Sequence, residues 1–559
     1  MSPAGPIKNL KRGLTRLVTG VPNPLGFSAL IILGWIVLQS FFLNTAFRID
    51  EPLFLAVTKQ IMAHPLDPYG FKIDQGGVLI PVHSFLANPP LLPVYLASWA
   101  SVFPWNEISL HLAVLPFSII ALFIFGTLAK RFGANPTVAR LLLCCSPAFF
   151  LGSQVVMPDM AMLAMLLLSL NCAFKYLDSG SRPALWVSAA GAAACPLVKY
   201  NGLILVPLLF WIFLSCQKRR PLLVVAFVPV ISLALWNLYS WKIYGSPHFL
   251  AMVAFEKTAA MTPGGAIFHG MAYLGLGVLP ALTLAYFIKL KRQRLGEVMI
   301  AAVAIPACLA LATYTGNGPV PSLLFAVSCV IASFFLLLCW NFAVECLRTR
   351  DLSTAFLVIW IIFGLALQSG VKFMAVRYML FLAPPAIILI LRQSPWRPNH
   401  SRLGTALAAN LLLVIAIAHA DAQAANGYRW IAHEKISPML RHETGKLYYS
   451  GQWGIRYYVE QIGGQAFSLD PPTELKGGDL VVVAEYAWPG FLEPPLPEGM
   501  HFESNLWPYR PGTIIRTIGC RSSSNFYCPA LFGCRRKILL PFGFGREPSE
   551  IFHLYRIRE

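Results

Sequence analysis

Charge is what this chain has least of. Charged residues fill 12% of its 559 positions, against about 25% in soluble proteins, and only 25 of them are acidic. Such a chain, 57% hydrophobic with a mean hydropathy of +0.62, is excluded from the soluble globular class. Its twelve cysteines show no metal-ligand spacing, which argues against a zinc module, and most of them fall in apolar runs as small core residues. It has no convincing Gly-rich phosphate loop, so nothing speaks for a nucleotide substrate. No internal repeat relates its halves. The basic N-terminus (Lys8, Lys11, Arg12, Arg16) runs into the first apolar run without a small-residue cleavage site, as in an uncleaved first helix.

What the chain does have is apolar segments long enough to cross a bilayer, which takes about 20 residues. They predict thirteen spans, at 25–46, 107–129, 136–153, 159–177, 183–198, 201–216, 221–241, 266–288, 295–313, 322–343, 352–370, 378–391 and 403–420. Breaks fall at Met157-Pro158-Asp159, at Lys199-Tyr200-Asn201-Gly202 and between Gly370 and Arg377. The net charge of +19 resembles a nucleic-acid signal, but the basic residues sit in alternate short loops: Lys130-Arg131, Lys175 with Arg182, Lys218-Arg219-Arg220, Lys289 to Arg294, Arg348 with Arg350, and Arg392 with Arg397 and Arg402. They are topology determinants. The expectation is a polytopic α-helical membrane protein with a cytoplasmic N-terminal segment (1–24), a transmembrane domain (25–420) carrying an external loop (47–106), and a small extracytoplasmic α/β domain (421–559). No nucleic acid is expected as a partner. In the tail, Lys446 to Tyr449, Gln465 to Leu469 and Asp479 to Ala484 read as strands around a helix from Ile455 to Ile462. Cys520, Cys528 and Cys534 allow one disulfide with one thiol left over.

The outward turns should be poor in Lys and Arg, so the ionisable residues that remain there stand out: Asp50, Glu51, Asp159, Lys199, Lys372 and Arg377. A bundle that converged them would place carboxylates and cations around one outward cavity. That set suits a phosphate-bearing lipid, with cations on the phosphate and a carboxylate as general base. Each residue also has a structural reading. Asp50 or Glu51 before Pro52, and Asp159 after Pro158, suit helix starts. Lys199 and Arg377 suit snorkelling, and Tyr200 and Tyr378 suit the interface. His64, His83, His248 and His269 are outward too, each more in keeping with a surface or hydrogen-bonded role than with a metal ligand.

In order, Arg48-Ile49-Asp50-Glu51-Pro52, Asn88-Pro89-Pro90-Leu91, Met157-Pro158-Asp159, Lys199-Tyr200-Asn201-Gly202 and Arg377-Tyr378 with Pro384-Pro385 resemble the GT-C glycosyltransferases. The nearest branches are the bacterial relatives of the dolichyl-phosphate-mannose protein mannosyltransferases and the lipid A aminoarabinose transferases. The resemblance covers residues 20 to 420. It implies a GT-C-like fold in a bacterial inner membrane, a polyprenyl-phosphate sugar donor, and a protein, lipid or glycan acceptor. It further implies Asp50 as base with Glu51 beside it, Asp159 as a second acid, and Lys199, Arg377 and Lys372 at the lipid phosphate, with Asn88, Tyr200 and Tyr378 lining the cavity. One departure is plain. Where the aminoarabinose branch carries Glu-Lys ahead of its Pro-Pro element, this chain has Ala87-Asn88. A divalent cation, used by some relatives, therefore has no assigned ligands here. The alternative reading is a transporter or flippase of a lipid-linked glycan, or a scaffold without catalysis. Against a transporter, the ionisable residues gather at one face and not at the midplane.

Overall fold

The structure is a computed structural model. It describes residues 24–215, 220–257, 263–281, 283, 318–368, 374–393, 400–441, 445–470, 472–487, 502–528, 534 and 540–557. The expected span 295–313, most of the second half of 266–288, Lys372 and the basic runs Lys218-Arg219 and Lys289 to Arg294 lie outside the described residues.

The protein is mostly helical, and among the described residues five helices are long and apolar enough to cross a membrane. Their ends follow the local chemistry. Helix α1, Pro24–Ser40, is followed by the short helix α2, Glu51–Ala63, and by α3, Glu107–Arg131. The α3 N-terminus is capped by the Asn106 side chain, which accepts from the Ser109 backbone N–H. Helix α4, Pro158–Ser179, has Pro in its first turn and ends at Gly180 with φ +69°, the Pro-in, Gly-out asymmetry that L-residues impose. At 22 residues it is about 33 Å long. Helix α5, Arg182–Val198, packs back against it. Gly191 meets the Met165 carbonyl, and the Ser169 and Ser188 hydroxyls each donate to the other's backbone carbonyl at 2.9 Å. Small residues and shared hydroxyl bonds of this kind let two apolar helices approach without a hydrophobic driving force. Arg220–Tyr244 (α6), Pro319–Thr349 (α7), Leu352–Gln368 (α8) and His400–Trp430 (α9) complete the long helices.

Several expected spans are corrected: the last runs on as helix through Trp430, past the expected boundary at 420, and 378–391 opens with a 3-10 turn over Val376–Leu382. The first helix stops at Ser40 and not at 46. Beyond it the chain is drawn aside: the Ala46 N–H donates to Asn426 and the Phe47 N–H to the Tyr458 hydroxyl. The segment 136–153 is two helices, Pro136–Cys144 and Pro147–Gly152. Pro147 cannot supply the N–H that would continue the first. The opened backbone is satisfied from another helix, since Asn410 donates to the Cys145 carbonyl at 2.7 Å; the Ser146 hydroxyl in turn donates to the Val278 carbonyl at 2.7 Å.

Beyond α9, the chain builds a five-stranded sheet. Strands β1 (Lys72–Asp74) and β2 (Leu79–Pro81) form a small ribbon in the loop after α2; the sheet itself comprises β3 (Leu447–Ser450), β4 (Gln465–Ala466), β5 (Leu480–Ala484), β6 (Phe502–Tyr509) and β7 (Glu550–Ile557), in the order β4-β3-β5-β7-β6. β3 runs parallel to β4 and β5, while β7 is antiparallel to β5 and β6. Helix α10, Trp453–Gln461, crosses between β3 and β4. Strands β6 and β7 were not expected from the sequence, although β7 carries a usable signal: Glu550, Phe552 and Leu554 alternate inward. The sheet leans on the β1–β2 ribbon through Leu469 N–H and Ser468 hydroxyl bonds to the Gly77 carbonyl. Cys520 pairs with Cys534, and Cys528 stays outside the disulfide.

The disulfide closes a loop of sequence separation 14, for which chain entropy is worth about 3 kcal/mol. Replacing both cysteines by Ser should lower the thermal midpoint and speed proteolysis between residues 500 and 557. A parent protein whose midpoint is unchanged by reductant would contradict this.

Candidate active site

Five of the expected residues, Asp50, Asp159, Lys199, Arg377 and Tyr378, meet at one end of the bundle. Arg377 is delivered by the 3-10 turn Val376–Leu382, which follows α8, and its side chain is buried. Its Nη2 donates to Asp50 at 2.5 Å, its Nε stands 3.7 Å from Asp159, and its Nη1 lies 2.9 Å from the Met157 sulfur. Asp159, on the first turn of α4, is buried and pairs with the buried Lys199 at the end of α5. The Lys199 ammonium sits 3.8 Å over the Tyr378 ring, with the Arg377 guanidinium 5.1 Å from the same ring. Tyr378 therefore serves as a floor for two cations and not as an interfacial aromatic.

Asp50 and Glu51 are neighbours with opposite fates. The Asp50 side chain is 39% exposed and makes no cap bond; its backbone carbonyl accepts from Leu53 and Phe54 while its carboxylate turns to Arg377. It borders a cavity of about 30 Å³ lined by Ile49, Pro52, Gln75, Gln452 and Trp453 among others, room for little more than a water. Glu51 is fully buried. Its Oε2 accepts from the Arg48 N–H at 2.7 Å, and its Oε1 accepts from the Val156 N–H at 2.6 Å and faces His111 Nε2 at 3.2 Å. The other nitrogen of that ring meets the Leu43 carbonyl at 2.9 Å. A carbonyl can only accept, so a proton lies between His111 and Glu51. Glu51 is thus closed to any substrate in this arrangement.

Just before the two acids the backbone is under tension. Ile49 adopts φ +53°, a left-handed conformation that costs a β-branched residue about 1–3 kcal/mol. The Glu51 to Arg48 bond holds it there. Arg48, in turn, is buried against Asp421 at 2.8 Å.

Tyr200 and Asn88 belong to an adjacent aromatic cluster beside the segment between α2 and α3. Tyr200 shares a hydrogen bond with His248 and accepts from Trp236 at 3.2 Å. The Tyr69 ring stacks on His248, and its hydroxyl donates to the Asn88 carbonyl at 2.6 Å. His83 stacks on Tyr244. Lys372 lies outside the described residues.

A divalent cation does not fit this site. Among the described residues no group of three or more His, Cys, Asp or Glu gathers, and the two carboxylates at Arg377 already face cations. Sequence reasoning missed Arg48, His111, Asp421 and Tyr527. Arg48 was findable, being an arginine on the side that should lack them. The others draw their meaning from contacts 60 to 480 positions away.

No protein-family model matches the chain, nor does any curated protein sequence. Among solved structures it is similar to ArnT from Cupriavidus metallidurans in the apo state, with 13% identity and TM-score 0.44 over 82% of this chain and 92% of that one. The same ArnT bound to undecaprenyl phosphate gives 14% and 0.42 over 82% and 93%. The Archaeoglobus fulgidus oligosaccharyltransferase in the apo form gives 12% and 0.41, over 79% of this chain and 64% of that one. ArnT is a lipid A aminoarabinose transferase, one of the two groups that the motif order resembles. The site is read from its own geometry.

Two predictions follow from this geometry. Glu51→Gln puts an amide against two N–H donors, so it should cost about 1–3 kcal/mol of stability, seen as a lower melting midpoint; a midpoint equal to the parent's would remove Glu51 from this structural role. Burial pushes the His248 imidazole down to about 4. Below its ordinary value of about 6.5 the unfolded chain then binds the extra proton, so the contribution is complete above 6.5 and is lost as pH falls towards 4. Melting measured at pH 7 and pH 5 should show a smaller loss in His248→Gln, which cannot titrate, than in the parent.

Proposed function

We propose that the chain is an integral-membrane glycosyltransferase that moves a sugar from a polyprenyl-phosphate donor to an acceptor hydroxyl on the extracytoplasmic side. The observation that carries this reading is the pairing of one partly exposed carboxylate, Asp50, with a buried arginine, Arg377, backed by the Asp159–Lys199 pair. In the reaction, Asp50 takes the proton of the acceptor hydroxyl. The acceptor oxygen forms its bond to the anomeric carbon from the face opposite the phosphate, and the bond from that carbon to the phosphate oxygen breaks with inversion. The leaving lipid phosphate monoester carries one more negative charge than the diester, and Arg377 with Lys199 stabilises that gain. Lys372 is assigned to the same phosphate. Asp159 keeps the two cations in place between substrates, and Asn88 from the external loop and Tyr200 from the turn after α5 shape the flank of the site. The small cavity beside Asp50 means that Gln75 or Gln452 must swing aside to admit the acceptor.

A bacterial inner membrane, a cytoplasmic N-terminus and an extracytoplasmic 421–559 domain belong to the same reading. It is supported by the basic loops and by the disulfide, which an oxidising compartment favours. A flippase is disfavoured by the position of the charged cluster at the end of α4 and α5 and not at their middle.

The test is release of undecaprenyl phosphate by purified protein from labelled undecaprenyl-phosphate mannose, glucose and arabinose, with a membrane extract as acceptor. Asp50→Asn should fold and bind donor normally yet lose roughly 10²–10⁴-fold in rate, because an amide cannot take the proton. Arg377→Lys keeps the charge but loses the fork, and should weaken undecaprenyl phosphate binding roughly tenfold. Transfer by Asp50→Asn at the parent rate would overturn the role of Asp50.

A further inference from the structure

The segment after Cys520 returns to the membrane end and touches both halves of the site. Tyr527 is buried, and its hydroxyl donates to Asp421 at 2.6 Å while accepting from Arg48 Nε at 3.2 Å. Asp421 also holds Arg48 Nη2 at 2.8 Å and accepts from the Thr517 hydroxyl at 2.8 Å. Arg48 stands two residues before Asp50, on the far side of the left-handed Ile49. One residue back along the tail, the Phe526 carbonyl accepts from the Val376 N–H at 3.3 Å, immediately before Arg377. The Tyr527 ring lies 6.0 Å from the Arg377 guanidinium. The neighbouring Asn525 carbonyl accepts from Tyr273 at 3.4 Å, and the Phe526 N–H donates to the Thr517 carbonyl, so the segment is tied from both sides. The Cys520–Cys534 disulfide closes the chain around these residues.

Two short corners thus carry the reacting groups, and a single tail segment holds both. The Asp50 corner is backbone-strained and would relax if released. The Arg377 corner is a 3-10 turn whose first N–H finds its partner in the tail. The Val156 to Asp159 segment bridges the same corners from the bundle side, with the Val156 N–H on Glu51 and Met157 and Asp159 at Arg377.

We propose that Tyr527 is a positioning residue of this site: its hydroxyl, seated on Asp421 and Arg48, and the adjoining Phe526 carbonyl on Val376 fix the spacing at which Asp50 and Arg377 meet. The assignment rests on the reading of Asp50 as the base. It makes the tail a working part of the transferase and not a cover over it. The hydroxyl is the discriminating atom, because Tyr527→Phe keeps the ring, its packing and the Phe526 bond while deleting two hydrogen bonds to the Asp50 side alone.

The experiment compares full-length parent, Tyr527→Phe, Asp50→Asn and the double variant in lipid nanodiscs, with the donors named above. Tyr527→Phe should lower kcat about tenfold, a change of about 1.4 kcal/mol, while the donor KM and undecaprenyl phosphate binding stay within threefold. In the Asp50→Asn background the same substitution should cost nothing further, because the group it positions is already gone. If Tyr527→Phe lowers the melting midpoint, that second comparison still decides, since a folding defect reduces both backgrounds alike. An active parent with an unaffected Tyr527→Phe, or equal losses in both backgrounds, overturns the positioning role and leaves the transferase reading intact. A parent that releases no undecaprenyl phosphate from any of the donors overturns the transferase reading, and this role with it.

Discussion

A guanidinium buried at the end of an apolar bundle is the constraint around which the rest of this structure is arranged. Arg377 cannot lose its proton and cannot stay dry without partners. Asp50 and Asp159 supply the opposing charge, Lys199 balances the second carboxylate, and the cluster of two acids and two bases is neutral as a whole. Neutrality makes it tolerable in low dielectric, and the partial exposure of Asp50 makes it open to exchange. An incoming phosphate could take over the cations that the carboxylates now occupy, and in doing so would leave Asp50 free to accept a proton. The same charges would then serve the resting protein and the loaded one.

The corner that presents Asp50 depends on a second set of buried charges. Glu51 spends its carboxylate on two backbone N–H groups and on His111. Arg48 spends its guanidinium on Asp421 and Tyr527. Removing either partner would leave an uncompensated charge in a dry setting, which is far more costly than losing the contact itself. This explains how a β-branched residue persists in a left-handed conformation at Ile49: the surroundings over-determine it. The partners of Arg48 come from α9 and from the tail, so the far end of the chain is structurally committed to the turn before α2.

Much of this was legible in the sequence, for reasons that are local. Apolar runs set most helix positions, and Pro158 with Gly180 sets both ends of α4 because those residues have fixed backbone preferences. The breaks at Met157-Pro158-Asp159 and Lys199 to Gly202 fall where turns occur. The depletion of basic residues on one side isolated Asp50, Asp159, Lys199 and Arg377, and these do converge. The helix break at Cys145-Ser146 was less visible, because a Pro in an apolar run can be either a kink or an end. The outcome lay with Asn410, which takes up the opened Cys145 carbonyl. Strand β6 offered little periodicity, and its place is set by pairing with β7.

Sequence alone determined that the chain is a charge-poor helical protein with a small set of acids and cations at one end of its apolar helices, since composition and loop charge are properties of the chain and not of its packing. Which acid does what was decided only in three dimensions. Asp50 and Glu51 are adjacent and chemically alike. They open α2, where successive side chains point about 100° apart, so one carboxylate meets Arg377 and the other enters the bundle, where donors from Arg48, Val156 and His111 close around it. No local pattern encodes that choice, because the groups that enforce it arrive from segments as far away as Asp421 and Tyr527.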